Sequence, residues 1–127
     1  MPIVGIGTDL ARSGRFRRLL AEGKGAVIER IFTVAERAYC LTKKDPAPHL
    51  AARFAAKEAF LKALGTGLRD GLSWQQVEVV RDELGRPFLA LCGRAAELVA
   101  MRKVCQVHLS YSHDGDYAFA TVVLESP

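Results

Sequence analysis

The stretch from Leu50 to Gly67 constrains this chain more than any other. Alanine, leucine, lysine and glutamate dominate it and no β-branched residue interrupts it before Gly65, so it is predicted to be a helix. Pro46 and Pro48 are expected to bar an earlier start, and Gly65 and Gly67 supply the stop. At about 100° per residue, Leu50, Phe54, Leu61 and Gly65 share a stripe that also holds Glu58. Ala52, Ala56, Ala59 and Ala63 form the opposite face. A row of alanines lets another element approach closely, so the helix is expected to be covered on both sides, with Lys57 and Lys62 at the edges of the stripe. A covered carboxylate is costly unless it is paired or binds a cation. The helix alone leaves both outcomes open for Glu58: an i,i+4 pair with Lys62, worth roughly a few tenths of a kcal/mol, or a bound cation.

The chain of 127 residues suits one domain, residues 1–127. No run of about 18 apolar residues occurs, so no membrane span is expected. Met1-Pro2-Ile3-Val4-Gly5 carries neither a basic segment nor a cleavage site, so no cleaved leader is expected. Cys40, Cys92 and Cys105 are odd in number and form no C-x-x-C pair, which argues against a zinc ribbon or a redox pair. Free, mostly buried thiols in a reducing cytoplasm are expected. The net charge of +4 favours an anionic partner without demanding nucleic acid.

Taken in order, Ile3 to Leu10 reads as a strand with Val4, Ile6, Thr8 and Leu10 on one face. Ile3, Gly5, Gly7 and Asp9 lie on the other, where two glycines leave room for something to approach the backbone. Asp9 is either a residue of that open face or the N-cap of the next helix. Gly5-Ile6-Gly7-Thr8-Asp9 is not a dinucleotide fingerprint, because Leu10 stands where the third glycine belongs. Residues 11–22 are predicted helical. Arg12, Arg15 and Arg18 recur on one side of this helix; they are either a solvated face or a surface for carboxylate or phosphate. Residues 25–41 read as one or two helices broken near Thr33. A hairpin pairs Val77–Arg81 with Pro87–Leu91, and Arg94–Arg102 is an amphipathic helix. Val104–Tyr111 is a strand, turned at Asp114-Gly115-Asp116 into the apolar strand Tyr117–Leu124.

Ser112-His113-Asp114 is not a triad, since adjacent residues of a strand end point apart. His113 reads as a surface residue or a substrate contact. Asp9 and Glu58 together suit Mg²⁺, which takes one or two carboxylates and completes its shell with water and phosphates. Arg53, Lys57, Lys62 and the loop Gly65-Thr66-Gly67 would then serve those phosphates. This describes an enzyme of phosphate esters or diphosphates.

These pieces resemble the holo-acyl-carrier-protein synthases, the short type of 4′-phosphopantetheinyl transferase. The matching motifs are Gly5-Ile6-Gly7-Thr8-Asp9, Arg53-Phe54-Ala55-Ala56-Lys57-Glu58-Ala59 with Lys62, Gly65-Thr66-Gly67 and Gly71-Leu72-Ser73. Gly85-Arg86-Pro87 and Ser110-Tyr111-Ser112-His113 with Tyr117-Ala118 complete the set. The resemblance implies transfer of the 4′-phosphopantetheine arm of coenzyme A to a serine of apo acyl carrier protein, with release of adenosine 3′,5′-bisphosphate. It implies Asp9 and Glu58 as metal ligands and Lys62 beside the diphosphate. It also implies coenzyme A contacts from Arg53, Lys57, Lys62, Gly65, Thr66, Gly67 and His113. A homotrimer with active sites between subunits follows from the same likeness. Arg15 falls where the family's first helix meets the carrier, and Arg12 and Arg18 share its side. Arg12, Ser13 and Gly14 depart from the more acidic or aliphatic residues often found there.

The fold class expected is α+β: a 4′-phosphopantetheinyl transferase-like fold with one long helix on a small, mostly antiparallel sheet. Catalysis would rest on positioning and charge neutralisation, with Glu58 acting through a metal-bound water as the favoured base. A nucleic-acid-binding module would need stacking aromatics on an exposed strand, and aromatics are only 8% of the chain. A two-carboxylate nuclease would usually need a third acidic ligand, which the sequence does not offer.

Overall fold

The computed structural model describes residues 2–127. Strand β1 (Ile3–Arg12) is followed by helices α1 (Ser13–Ala21), α2 (Gly25–Ile31) and α3 (Val34–Cys40). The long helix α4 (Pro46–Leu64) leads to the hairpin β2 (Val77–Arg81) and β3 (Pro87–Leu91), helix α5 (Gly93–Met101), and strands β4 (Gln106–Asp114) and β5 (Tyr117–Glu125). β1, β5 and β4 form an antiparallel sheet in that order, and β2 and β3 pair separately. This is the α+β architecture expected from the sequence.

Helix α4 starts a full turn earlier than its prolines suggested. Pro46 and Pro48 sit in the first turn, where a missing N–H loses no bond, and the Asp45 side chain caps the Ala47 N–H. The helix ends as expected at Gly65, whose φ of 79° is the left-handed conformation that closes the last turn.

The glycine face of β1 is filled by α4. A Cβ on Gly7 would lie 2.0 Å from the Ala59 carbonyl oxygen, and one on Gly5 would lie 2.2 Å from that of Ala63. Helix and strand therefore meet backbone to backbone, which only glycine permits on the strand side. Ala118, Ala120, Val122 and Leu124 of β5 continue the same buried face, and Phe16, Phe32, Leu50, Phe60 and Leu61 fill the space around them. Burial of this apolar surface is the main force holding α4 to the sheet.

α4 is thus covered on both sides by its own chain. The bare surface is instead the far side of the sheet. There Val4, Ile6, Leu10, Tyr117 and Phe119 range from 44% exposed at Phe119 to 66% at Ile6. The thiols also differ from expectation, because only Cys40 is buried while Cys92 and Cys105 are exposed. Burial pushes the Cys40 thiol up to about 11. Among the described residues, no helix is long and apolar enough to cross a membrane.

Gly7→Ala should destabilise the fold by about 2–4 kcal/mol, since the added methyl meets backbone rather than a movable side chain. Gly25→Ala, where nothing lies within 4 Å of the new Cβ, should be neutral or slightly stabilising. Denaturant unfolding of both variants checks the pair; equal stability would contradict the close seam.

Candidate active site

Asp9 follows Gly5 and Gly7 on the same face of β1, so the helix that lies on the glycines also passes beside Asp9. The Lys62 ammonium reaches across from α4 and donates to Asp9 Oδ1 at 2.9 Å and to the Thr8 carbonyl at 3.1 Å. Glu58, one turn back on α4, accepts at Oε1 from the indole Nε1 of Trp74 at 2.7 Å. Asp9 and Glu58 line one cleft of about 410 Å³ with Leu10, Arg15 and Phe54. The i,i+4 pair of Glu58 with Lys62 is therefore not formed; Lys62 turns to the strand instead. Nor does Asp9 cap a helix. β1 runs on to Arg12, and the first amides of α1, from Ser13 and Gly14, are taken by the carbonyl and carboxylate of Asp116.

The carboxylates suit a hard cation that brings its own water. Lys62 holds one oxygen of Asp9 and Trp74 one of Glu58, so Asp9 Oδ2 and Glu58 Oε2 have no protein donor among the described residues. No cluster of three or more His, Cys, Asp or Glu is found among the described residues. Two carboxylates with free oxygens fit Mg²⁺, which keeps several waters and takes substrate phosphates. They do not fit a closed zinc site.

Lys57, expected at coenzyme A, is turned the other way. Its ammonium is fully buried and donates to Glu36 Oε1 at 2.7 Å and to the carbonyls of Trp74 and Val77 at 2.9 Å each. With all three protons placed, it has none for a diphosphate. Burial lowers its proton affinity, and the facing Glu36 carboxylate opposes that shift. Glu36 also accepts from the amides of Thr33 and Val79 at 2.9 and 2.8 Å. The sequence carried a signal for Glu36, the Thr33-x-x-Glu36 spacing of a capping box. Nothing in the sequence marks Trp74 as the partner of Glu58.

Arg53 is buried as well, its guanidinium 4.3 Å from the Tyr39 ring and its Nε without a partner among the described residues. His113 is exposed and lines a separate cavity with Leu10, Tyr117 and Phe119. Burial depresses the His49 imidazole first, and then the charges of Arg53, Lys43, His113 and Arg81 depress it further. In the loop after α4, the Gly65 and Thr66 amides are spent on the carbonyls of Leu61 and Lys62, so they are not the phosphate donors expected of them. Gly67, at φ 62°, faces open space.

Arg12, Arg15 and Arg18 line one surface hollow with Leu19. Arg12 is the last residue of β1 rather than part of the helix, and its Nε lies 3.5 Å from Asp116 Oδ2. Arg15 stands 5.1 Å over the Phe54 ring and lines both this hollow and the carboxylate cleft.

Residues 5–122 match the 4′-phosphopantetheinyl transferase superfamily. A holo-[acyl-carrier-protein] synthase of Syntrophotalea carbinolica is 63% identical over 121 residues, covering 95% of this chain and 94% of the relative. The crystal structure of holo-[acyl-carrier-protein] synthase from Neisseria meningitidis superposes with a TM-score of 0.88 at 37% identity, over 98% of this chain and 100% of that one. A holo-(acyl-carrier-protein) synthase of Bacillus anthracis in complex with coenzyme A (3′,5′-ADP) superposes at 0.80 with 38% identity, over 98% of both chains.

Removing one partner of a buried ion pair strands the other charge. Lys57→Met should therefore cost about 3–5 kcal/mol of unfolding free energy. Adding Glu36→Leu to it should cost less than the two single losses together. A single-variant loss below about 0.5 kcal/mol in urea unfolding, the range of ordinary surface substitutions, would contradict the contact.

Proposed function

The chain belongs to the 4′-phosphopantetheinyl transferase superfamily, and on that premise we propose that it moves the 4′-phosphopantetheine arm of coenzyme A onto a serine of apo acyl carrier protein. Residues 1–127 act as one transferase domain. The observation that carries this reading is the cleft shared by Asp9 and Glu58, with the Lys62 ammonium on Asp9.

The serine oxygen forms a bond to the β-phosphorus of coenzyme A, and the bond from that phosphorus to the bridging oxygen breaks. Adenosine 3′,5′-bisphosphate leaves with the bridging oxygen and its electron pair. Asp9 and Glu58 would hold a Mg²⁺ ion, which would supply neutralisation of the diphosphate charge. Lys62 is well placed to follow the charge as it moves to the leaving group, because its side chain is 55% exposed while Asp9's is 14% exposed. Glu58 receives the serine proton through a water. The nucleotide end of coenzyme A is anionic, and the guanidinium of Arg53 and the exposed imidazole of His113 are the side chains assigned to it.

Arg15 and Arg18 form no ion pair among the described residues. Arg15 lines the carboxylate cleft and Arg18 the hollow that shares Arg15 with it, where an acidic carrier protein would bring its serine close to the diphosphate. The reaction consumes coenzyme A, which fits a cytoplasmic setting.

The bare apolar sheet face supports the homotrimer. Its aliphatic and aromatic side chains are the kind that subunit interfaces cover. His113 lies at the edge of this face beside Leu10 and Phe119, so a neighbouring subunit packed there brings a second copy of the site's residues nearby.

Incubation with apo acyl carrier protein, coenzyme A and Mg²⁺ should raise the carrier's mass by one phosphopantetheine, and EDTA should abolish the gain. An unchanged carrier would contradict the transferase reading; a gain that survives EDTA would contradict the metal. Light scattering should give three times the chain mass, and Ile6→Glu should yield monomer with little transfer. A monomeric wild type would remove the trimer from the account.

A further inference from the structure

Trp74 lies sixteen positions from Glu58 and is held by α4 at two points. Lys57 grips its carbonyl at 2.9 Å from the buried side. Glu58, the next residue on α4, accepts its indole N–H at 2.7 Å. The ring also packs at 6.0 Å against Phe54, a wall of the carboxylate cleft. Because Lys57 ends in Glu36 as well, the ring's backbone is pinned by a buried network rather than by a surface loop.

We propose that Trp74 is a positioning residue for the cation-binding carboxylate of Glu58, and that its emission reports the occupancy of that carboxylate. The proposal rests on the metal-dependent transferase reading. A glutamate carboxyl turns readily about its last torsion, so its two oxygens exchange places unless something holds one of them. The indole holds Oε1 and leaves Oε2 to the cleft. The donor is also neutral, so it orients the carboxylate without cancelling its charge. Asp9 differs: its donor, Lys62, is itself a cation and competes with any ion that Asp9 would take. Glu58 is therefore the more strongly attracting of the two ligands, and Trp74 is what keeps it aimed. Donors that orient metal ligands in this way typically change ion affinity by about 10–100-fold when removed.

Trp74 is the chain's only tryptophan, so the wild type can be tested without any substitution. Titration with Mn²⁺, a paramagnetic quencher, in the absence of coenzyme A should quench the emission saturably, and Glu58→Gln should shift that curve to much higher Mn²⁺. Trp74→Phe, read in the carrier-mass assay, should need about tenfold more Mg²⁺ for half-maximal rate. Excess Mg²⁺ should recover most of the turnover, and the KM for carrier should be little changed. Trp74→His, which keeps a ring N–H, should recover part of the affinity. Emission indifferent to Mn²⁺ would overturn the proposal, and so would an unchanged Mg²⁺ requirement in Trp74→Phe. If wild-type transfer proceeds in EDTA, the metal reading falls and takes this proposal with it. If EDTA stops transfer while Trp74→Phe titrates like wild type, only the role of Trp74 falls.

Discussion

The backbone contact between β1 and α4 sets the geometry of everything that follows. Gly5 and Gly7 have no side chains, so the carbonyls of Ala59 and Ala63 occupy the space where Cβ atoms would stand. The helix sits as low on the strand as two polypeptides allow. At that separation Lys62 reaches Asp9 at 2.9 Å. Any larger residue at position 7 would lift α4 and carry both Glu58 and Lys62 away from the strand. Residues with no chemistry of their own thus determine whether the chemical residues can work together.

A second constraint operates inside the fold. Glu36 joins the start of α3, the amide of Val79 in β2 and the ammonium of Lys57, while Lys57 joins the carbonyls of Trp74 and Val77. This satisfied network ties the β2–β3 hairpin and the segment before it to α4. It also removes Lys57 from the charge balance of the neighbouring cleft, because its charge is matched by Glu36. The cleft keeps two carboxylates, with the Lys62 ammonium on one oxygen of Asp9 and the guanidinium groups of Arg12 and Arg15 in its wall. The carboxylate oxygens without a protein donor among the described residues are where an added cation would bind, and the arginines suit the phosphates it would carry.

Local rules recovered much of the fold. The β2–β3 hairpin, the break at Thr33, the glycine stop of α4 and the turn at Gly115 all depend on residues close in sequence, and all were legible there. The start of α4 lies earlier than Pro46 and Pro48 suggest in the sequence, because proline breaks a helix interior but is tolerated in the first turn. The site was harder. The openness of the Gly5–Gly7 face was readable, but its occupant was not, since no spacing rule links residue 7 to residue 59. Asp9 and Glu58 stand out in the sequence by their place on a strand face and a helix stripe and by the resemblance, but nothing in the sequence brings the two elements together. Lys57 and Lys62 look alike in sequence, both lysines on the edge of one stripe. Only the packing of α3 and the segment around Trp74 buries the first and leaves the second at the cleft.

The central claim is that Asp9 and Glu58 act as one unit. A double-mutant cycle on transfer rate at saturating Mg²⁺ tests it, comparing Asp9→Asn, Glu58→Gln and the combined variant. If both carboxylates serve one ion and one diphosphate, either substitution disables the site, and the double variant is scarcely slower than the worse single one. If the two losses multiply, the carboxylates act independently, and the shared cleft is not the catalytic unit.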